Sequence, residues 1–244
     1  MSYNRGMLFL WNTLFYDPLY NALVFLISVI PWHDVGFAVI ILTLLVKLIL
    51  FPLSKKSIIS QVKMKKLEPE LKKIKENFKD KQEQAKRTMA LYKDNKINPF
   101  AGFFLILIQI PIIFALYFVF FKGLSFDENI LYSFIKVPTD INFNFLGLID
   151  MHSKSLVLAI LAGVSQYFQT KLATQAFKPD NQDKSFKNEL MKSMHIQMKY
   201  VLPVFIGFVA YQISAAVALY WVVSNLFTIG QEIFVIKKIR AKEL

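Results

Sequence analysis

The sequence predicts an all-α integral membrane protein: a five-span helical core with a hydrophilic groove, an outer interfacial N-terminal helix and a cytoplasmic helical hairpin. Of its 244 residues, 55% are hydrophobic, and the mean hydropathy is +0.42. Soluble domains carry fewer apolar residues, about 45–50% even when glycine is counted. Long apolar segments also alternate with strongly basic ones, as in multi-pass membrane proteins.

The apolar segments predict five spans. Residues 36–54, 99–121 and 155–171 form the first three. Residues 200–231 carry no charge, and as one helix they would be about 48 Å long, whereas a hydrocarbon core is about 30 Å thick. We therefore predict two short helices that are joined by a turn near residues 212–216. They are spans four (199–213) and five (214–235). Because both are short, we expect the surrounding bilayer to be thinner there.

The charges of the loops predict the orientation. Residues 55–98 hold fourteen Lys and Arg against six acids, and residues 171–199 hold six against three. Basic loops stay on the cytoplasmic side, so an odd number of spans puts the N-terminus outside and the C-terminus inside. The other connections are then an outer loop 122–154, a cytoplasmic loop 172–198 and a short basic cytoplasmic tail 236–244.

The N-terminal segment 1–35 is predicted to lie on the outer side of the membrane. Asp17-Pro18 divides its apolar residues into two stretches that are each shorter than a span. We predict an interfacial helix on the outer face over residues 19–30, with an extra span over residues 7–30 as the alternative.

The basic segment 55–98 has a structure of its own. Apolar residues recur at helical spacing from Met64 to Phe78 and again from Ala85 to Tyr92, which predicts two helices in an antiparallel hairpin that turns near residues 79–82. From their charge, we expect its cations to contact lipid headgroups or the RNA-rich surface of the ribosome. They are Lys55, Lys56, Lys63, Lys65, Lys66, Lys72, Lys73, Lys86 and Arg87.

The sequence contains no motif of a catalytic site. His33, His152 and His195 are isolated along the chain, and neither a phosphate-binding glycine loop nor a nucleophile motif is present. The chain has no cysteine, which excludes disulfides and thiolate sites. We expect no catalytic residue, no metal site and no cofactor.

Lys47 is the one charged residue inside the first span. A fixed charge near the bilayer centre costs roughly 3 kcal/mol or more. One interpretation is that Lys47 snorkels toward the inner boundary near Lys55. The other is that it faces a water-filled cavity open to the cytoplasm, where it attracts acidic groups. Thr43 lies one helical turn earlier, on the same face.

Polar residues on the other spans favour the cavity. Each of them alone is typical of a contact between membrane helices. Together they predict one hydrophilic groove to which several spans contribute: Gln109, Ser165, Gln166, Gln169, Thr170, Trp221, Ser224 and Asn225.

Four segments carry a resemblance to a known family: GFAVIILTLLVKLILFPL (36–53), NPFAGFFLILIQIPIIFALY (98–117), ILAGVSQYFQTKL (160–172) and ALYWVVSNLFTIGQ (218–231). In these segments and their order the chain resembles the YidC-type membrane protein insertases, which have mitochondrial and chloroplast relatives. The resemblance runs from about Phe15 to Lys238.

The resemblance implies an insertase and chaperone of the bacterial plasma (inner) membrane. Its groove would draw in the polar N-terminal tails of single- or double-span proteins and release their apolar helices into lipid, without nucleotide hydrolysis. The implied partners are nascent membrane proteins and the bilayer, with the ribosome and a secretory translocon as further candidates.

The resemblance also assigns residues. Lys47 occupies the position of the family's groove arginine. Thr43 occupies the position of a polar residue one turn earlier, and Trp221 that of an aromatic residue that contacts substrate. Gln169 or Thr170 corresponds to the polar inner end of the third span. The basic hairpin 55–98 corresponds to a cytoplasmic loop that is expected to contact substrate. Lysine keeps the charge of the arginine but lacks its planar fork of donors.

Two other functions compete with insertion. One is a small solute or proton transporter or channel that uses Lys47. The sequence shows no internal repeat of the kind that is typical of transporters. The other is a structural subunit of a larger translocon.

Overall fold

The computed structural model describes residues 9–121, 130–173 and 192–241. These residues form a helical bundle with one two-stranded antiparallel sheet. In chain order the elements are α1 (Asp17–Val29), α2 (Val35–Lys66), α3 (Glu68–Asn77), α4 (Lys81–Asp94), α5 (Ala101–Phe121), β1 (Asn144–Phe145), β2 (Ile149–Asp150), α6 (Leu156–Ala173), α7 (Leu202–Gln212) and α8 (Ala215–Arg240). Turns of π-helix precede α1 at Asn12–Tyr16 and α7 at Gln197–Val201.

Four helices in the described ranges are long and apolar enough to cross a membrane. They are Val35–Lys66, Leu156–Ala173, Lys192–Gln212 and Ala215–Arg240, and α5 adds the shorter apolar stretch Leu107–Phe120. The predicted all-α membrane class is therefore confirmed. The apolar segment 200–231 divides into α7 and α8 because Ile213 and Ser214 adopt extended backbone angles between the two helices.

Helix α2 is longer than the first predicted span, 36–54. It begins at a cap, where the Asp34 side chain accepts a hydrogen bond of 3.0 Å from the Phe37 amide, and it continues past Pro52 to Lys66. Its 32 residues correspond to about 48 Å, so the helix projects beyond a hydrocarbon core of about 30 Å. Residues 55–66, predicted as part of the hairpin, therefore belong to the helix of the first span.

The basic hairpin itself consists of α3 and α4, with residues 78–80 between them. Proline near the start of α3 suits the first helical turn, because it has no amide hydrogen to leave unpaired. Asp80 caps α4 by accepting a bond of 3.0 Å from the Gln82 amide. Between the helices, Gln84 donates to the Phe78 carbonyl, and the Arg87 guanidinium lies 3.9 Å from the centre of the Phe78 ring.

Helix α1 packs against α2 and α5 and overlaps the interfacial helix predicted at residues 19–30. Leu23, Val24 and Ile27 are fully buried. The buried Asn21 side chain donates to the Ile130 carbonyl at 2.9 Å and accepts from the Tyr132 amide at 2.7 Å. Among the residues that the structure describes, the segment before α2 is not one of the helices suited to cross a membrane.

The loop between α5 and α6 forms a small β-hairpin that the sequence analysis did not predict. Gly147 at its turn has a φ of +70°, a backbone conformation that glycine adopts without strain. Phe145 lies against Gly36 so closely that a Cβ atom there would stand 2.2 Å from the ring. The Ser153 carbonyl accepts from the Ala215 amide at 2.8 Å. The loop thus joins the N-terminal ends of α2 and α8.

Helices α6 and α7 pack at two glycines. A Cβ atom at Gly163 would lie 3.1 Å from the Pro203 carbonyl oxygen, and one at Gly207 would lie 3.4 Å from the Ala159 carbonyl oxygen. Small residues at such crossings let membrane helices approach closely. Helix α6 also packs on α8, which in turn packs on α2, so that these helices surround a common space.

Candidate functional site

A cavity of about 790 Å³ lies between α2, α5, α6, α8 and the helical segment before α7. Its lining is mostly apolar, and we call it the polar cavity for the polar side chains within that lining. Each surrounding helix contributes polar side chains, including Lys47 and Ser57 from α2, Gln109 from α5, Gln166 from α6 and Asn225 from α8. The volume is within the range of binding sites for small ligands, about 300–1,000 Å³. The cavity can therefore hold a short polar segment among otherwise apolar helices.

Lys47 reaches across the cavity from α2 to α8. Its Nζ donates a hydrogen bond of 3.2 Å to Thr228 Oγ1, and the Thr228 hydroxyl donates to the Ser224 carbonyl at 2.8 Å. Within the described residues Lys47 forms no ion pair. Neutral groups thus hold its ammonium, which can attract an anionic group that enters the cavity.

Amide and hydroxyl side chains join α6 to α8 on the other side of the cavity. Asn225 Nδ2 donates to Ser165 Oγ at 3.1 Å and to Gln166 Oε1 at 3.2 Å. Gln166 Nε2 donates in turn to Gln169 Oε1 and to Thr170 Oγ1, both at 3.1 Å. Because these groups satisfy one another, they fix the polar surface that a bound chain would meet.

Gln109 connects α5 to the same cavity. Its Nε2 donates a hydrogen bond to the hydroxyl of the buried Tyr220 on α8. Sequence reasoning selected Gln109 but missed Tyr220, because a tyrosine in an apolar run is also typical of a packing residue.

Most of the predicted groove residues line the cavity, and two do not. Thr43 is fully buried, and its hydroxyl donates to the Val39 carbonyl at 2.6 Å. Ser165 lies behind the lining, where it accepts from Asn225 and donates to the Ala162 carbonyl. The predicted residues that line the cavity are Lys47, Gln109, Gln166, Gln169, Thr170, Trp221, Ser224 and Asn225.

Sequence reasoning missed the inner part of the cavity. On α8 the polar stripe continues past Asn225 through Thr228 to Gln231 and Glu232, at the three- and four-residue spacing of one helix face. On α2 it continues past Lys47 through Ser54, Ser57 and Gln61. Helical periodicity could have extended both stripes. On α2, the stripe was not followed further because the first span was predicted to end at residue 54.

The basic residues predicted to contact substrate or ribosome are divided among three helices. On α2, Lys55, Lys56 and Lys63 alternate with residues that line the cavity as far as Met64. Lys72 and Lys73 lie on α3. Arg87 on α4 is bonded to Glu83 at 2.7 Å. The exposed members of the group are Lys56, Lys63, Lys65, Lys66, Lys72, Lys73, Lys86 and Arg87, whereas Lys55 is half-buried.

Comparison with known proteins places the chain in a family. The family model described as 60Kd inner membrane protein matches residues 25–242. The membrane protein insertase YidC of Fusobacterium nucleatum is 34% identical over 91% of this chain and 97% of its own length. The chain belongs to the YidC-type insertase family. An insertase of the same name from Clostridium tetani is 35% identical over 92% of this chain and 96% of its own length.

A solved structure shows that this insertase shares the fold of a relative. The crystal structure of an active YidC insertase with the first transmembrane domain resolved matches with a TM-score of 0.54 at 21% identity, over 90% of this chain and 45% of that chain. The insertase of Geotalea daltonii matches 95% of this chain and 39% of its own length. Membership confirms the predicted function of membrane protein insertion.

Proposed function

We propose that this insertase draws the polar N-terminal tail of a single- or double-span client into the cavity, where Lys47 attracts its acidic groups. The observation that carries the proposal is the position of the Lys47 Nζ, 3.2 Å from the neutral hydroxyl of Thr228 on the facing helix. A lysine that only snorkelled would instead extend along its own helix toward the headgroups. The clients are nascent membrane proteins, and the bilayer receives them.

The polar lining lowers the barrier that the tail must cross. A charged side chain in the middle of a bilayer costs roughly 3 kcal/mol or more. Amide groups of Gln166, Gln169 and Asn225 line the cavity and offer hydrogen bonds that hydrocarbon lacks. The burial of the client's apolar helix, about 25 cal/mol per Å², and the membrane potential then supply the driving force without nucleotide hydrolysis.

A second cleft supports release into lipid between α6 and α8. It has a volume of about 600 Å³ and an almost wholly apolar lining that includes Val164, Phe168, Leu226 and Ile233. Ser165 borders this cleft and also bonds to Asn225 of the polar cavity. A client could therefore keep its tail among polar groups while its apolar helix packs on the adjoining surface.

The basic helices complete the proposed scheme on the cytoplasmic side. With the N-terminus outside and the C-terminus inside, the exposed lysines of α2, α3 and α4 face the cytoplasm of a bacterial cell. There they can attract the anionic headgroups of the inner membrane, client segments or ribosomal RNA. The ribosome and a secretory translocon are the further partners that this arrangement would serve.

Insertion into liposomes by the purified protein tests the proposal. Two single-span clients would differ only in whether the N-terminal tail carries aspartates or asparagines. Lys47→Ala should slow the aspartate client by about tenfold, as expected for the loss of a desolvated charge pair, and should slow the asparagine client less.

Two variants provide the controls. Lys47→Arg should insert both clients at the rates of the parent, since the charge remains. Lys136→Ala removes one exposed cation from the loop before α6 and should leave both rates unchanged. Equal slowing of both clients by Lys47→Ala would contradict an electrostatic role, and normal insertion of both would contradict any role of Lys47.

A further inference from the structure

The cavity contains a carboxylate that the proposed mechanism does not use. Glu232 lines the cavity on α8, one helical turn beyond Thr228, the residue that binds Lys47. It is only 7% exposed. In the described part of the chain it forms no ion pair, and Lys47 does not reach it.

Among the described residues, two further polar atoms near this end of the cavity have no hydrogen-bond partner. Gln231 Nε2 and His195 Nδ1 are buried without a hydrogen bond within the described residues, and both residues line the same cavity. Buried polar groups are nearly always paired, and a buried carboxylate without a partner is costly. This end of the cavity therefore has a carboxylate and polar atoms that can bind groups of a molecule that enters it.

The rise along α8 from Thr228, which binds Lys47, to Glu232 is close to the length of two residues of an extended peptide. Glu232 follows Thr228 by four positions, a rise of about 6 Å. An extended chain spans about 3.3–3.6 Å per residue, so two residues of a client cover that distance. A client acid beside Lys47 would place the side chain two positions further along the client beside Glu232.

We propose that Glu232 is a cation subsite that binds a lysine or arginine of the client, two residues C-terminal to the acid held by Lys47. The direction follows from the proposed function, on which this inference rests: the N-terminal tail points outward, so the following residues lie nearer the cytoplasm. The cavity then recognises the sequence acid-x-base, rather than negative charge alone.

Matched clients test the subsite in liposomes. One carries Asp-Ser-Lys in its tail, the second Asp-Ser-Gln, and the third the same aspartate and lysine separated by four serines. The parent insertase should insert the first client about fivefold faster than the others, because a charge pair in contact with water contributes up to about 1 kcal/mol. Glu232→Gln should remove that advantage, and Glu232→Asp should keep part of it.

The control variant is Glu76→Gln, which removes the same charge from an exposed position on α3 and should keep the preference of the parent. The subsite would be overturned if Glu232→Gln preserved the preference for Asp-Ser-Lys, or if it slowed all three clients equally. Either result would leave the response to Lys47→Ala intact, so that failure of the subsite and failure of the Lys47 mechanism are distinguishable.

A binding measurement keeps the inference testable if Glu232→Gln does not fold. Because the chain has no cysteine, one cysteine can be placed at Gln231 and another in the client beside its lysine or beside its aspartate. The cysteine beside the lysine should form the disulfide with position 231 more readily. Faster reaction beside the aspartate would overturn the proposed register.

Discussion

Lys47 on α2 and Thr228 on α8 are joined by a hydrogen bond of 3.2 Å across the polar cavity. The threonine hydroxyl can accept this bond because its own hydrogen is directed to the Ser224 carbonyl. The charge of Lys47 is thereby positioned by a neutral group, and any acidic segment that enters the cavity meets it without displacing a carboxylate.

Thr228→Val should weaken the recognition of acidic tails while it preserves the shape of the side chain. The loss of one hydrogen bond to a charged group costs about 1.5–3 kcal/mol of free energy. The Lys47 ammonium regains part of that free energy when it forms a hydrogen bond to water instead. We expect the ratio of insertion rates for aspartate and asparagine tails to fall by about threefold. Thr228→Ser should retain the ratio, and an unchanged ratio in the valine variant would show that the bond does not position Lys47.

Single cysteines should report the water in the cavity. A cysteine in place of Lys47 should react with a charged, membrane-impermeant thiol reagent, because the reactive thiolate forms in contact with water. Ile49 is the matched site on the same helix, since it is 75% exposed on the protein surface and faces lipid if α2 spans the bilayer. Its cysteine should remain unlabelled in membranes. Similar labelling at both positions would contradict a hydrated cavity around Lys47.

Gly36→Ala should destabilise the protein, whereas Gly230→Ala should not. A Cβ atom at Gly36 would stand 2.2 Å from the Phe145 ring, and one at Gly230 has no neighbour within 4 Å. Overpacking of this kind costs typically about 1–3 kcal/mol. Thermal unfolding in detergent should therefore show a lower Tm for Gly36→Ala alone. Equal Tm values for the two variants would mean that the hairpin does not pack on α2 as described.

The spans and much of the cavity could be predicted from the sequence because their signals are local. Apolar length sets the spans, and polar residues at helical spacing, such as Trp221, Ser224 and Asn225, mark the face that turns inward. The same reasoning identified Lys47, because a single charge in an apolar run has few stable environments.

The remaining features depend on contacts between distant residues. Thr43 shares a helix face with Lys47 in the sequence, yet it is buried with its hydroxyl bonded to Val39. The first span was predicted to end at residue 54, but α2 continues past Pro52 to Lys66. The hairpin between α5 and α6 has strands of only two residues, too short for a periodic signal. Glu232 falls within the fifth predicted span, 214–235, but it was not named as a groove residue, because sequence alone does not show that α8 carries it into the cavity.

Reversal of the charge at position 47 tests the central claim most directly. In liposomes, the parent insertase should insert a client with an acidic tail faster than the same client with a lysine tail. If Lys47 attracts the tail by its charge, Lys47→Glu should lower the ratio of these two rates by about tenfold or more, with the lysine client gaining. If the ratio is the same in the parent and in Lys47→Glu, the charge in the cavity does not select the client.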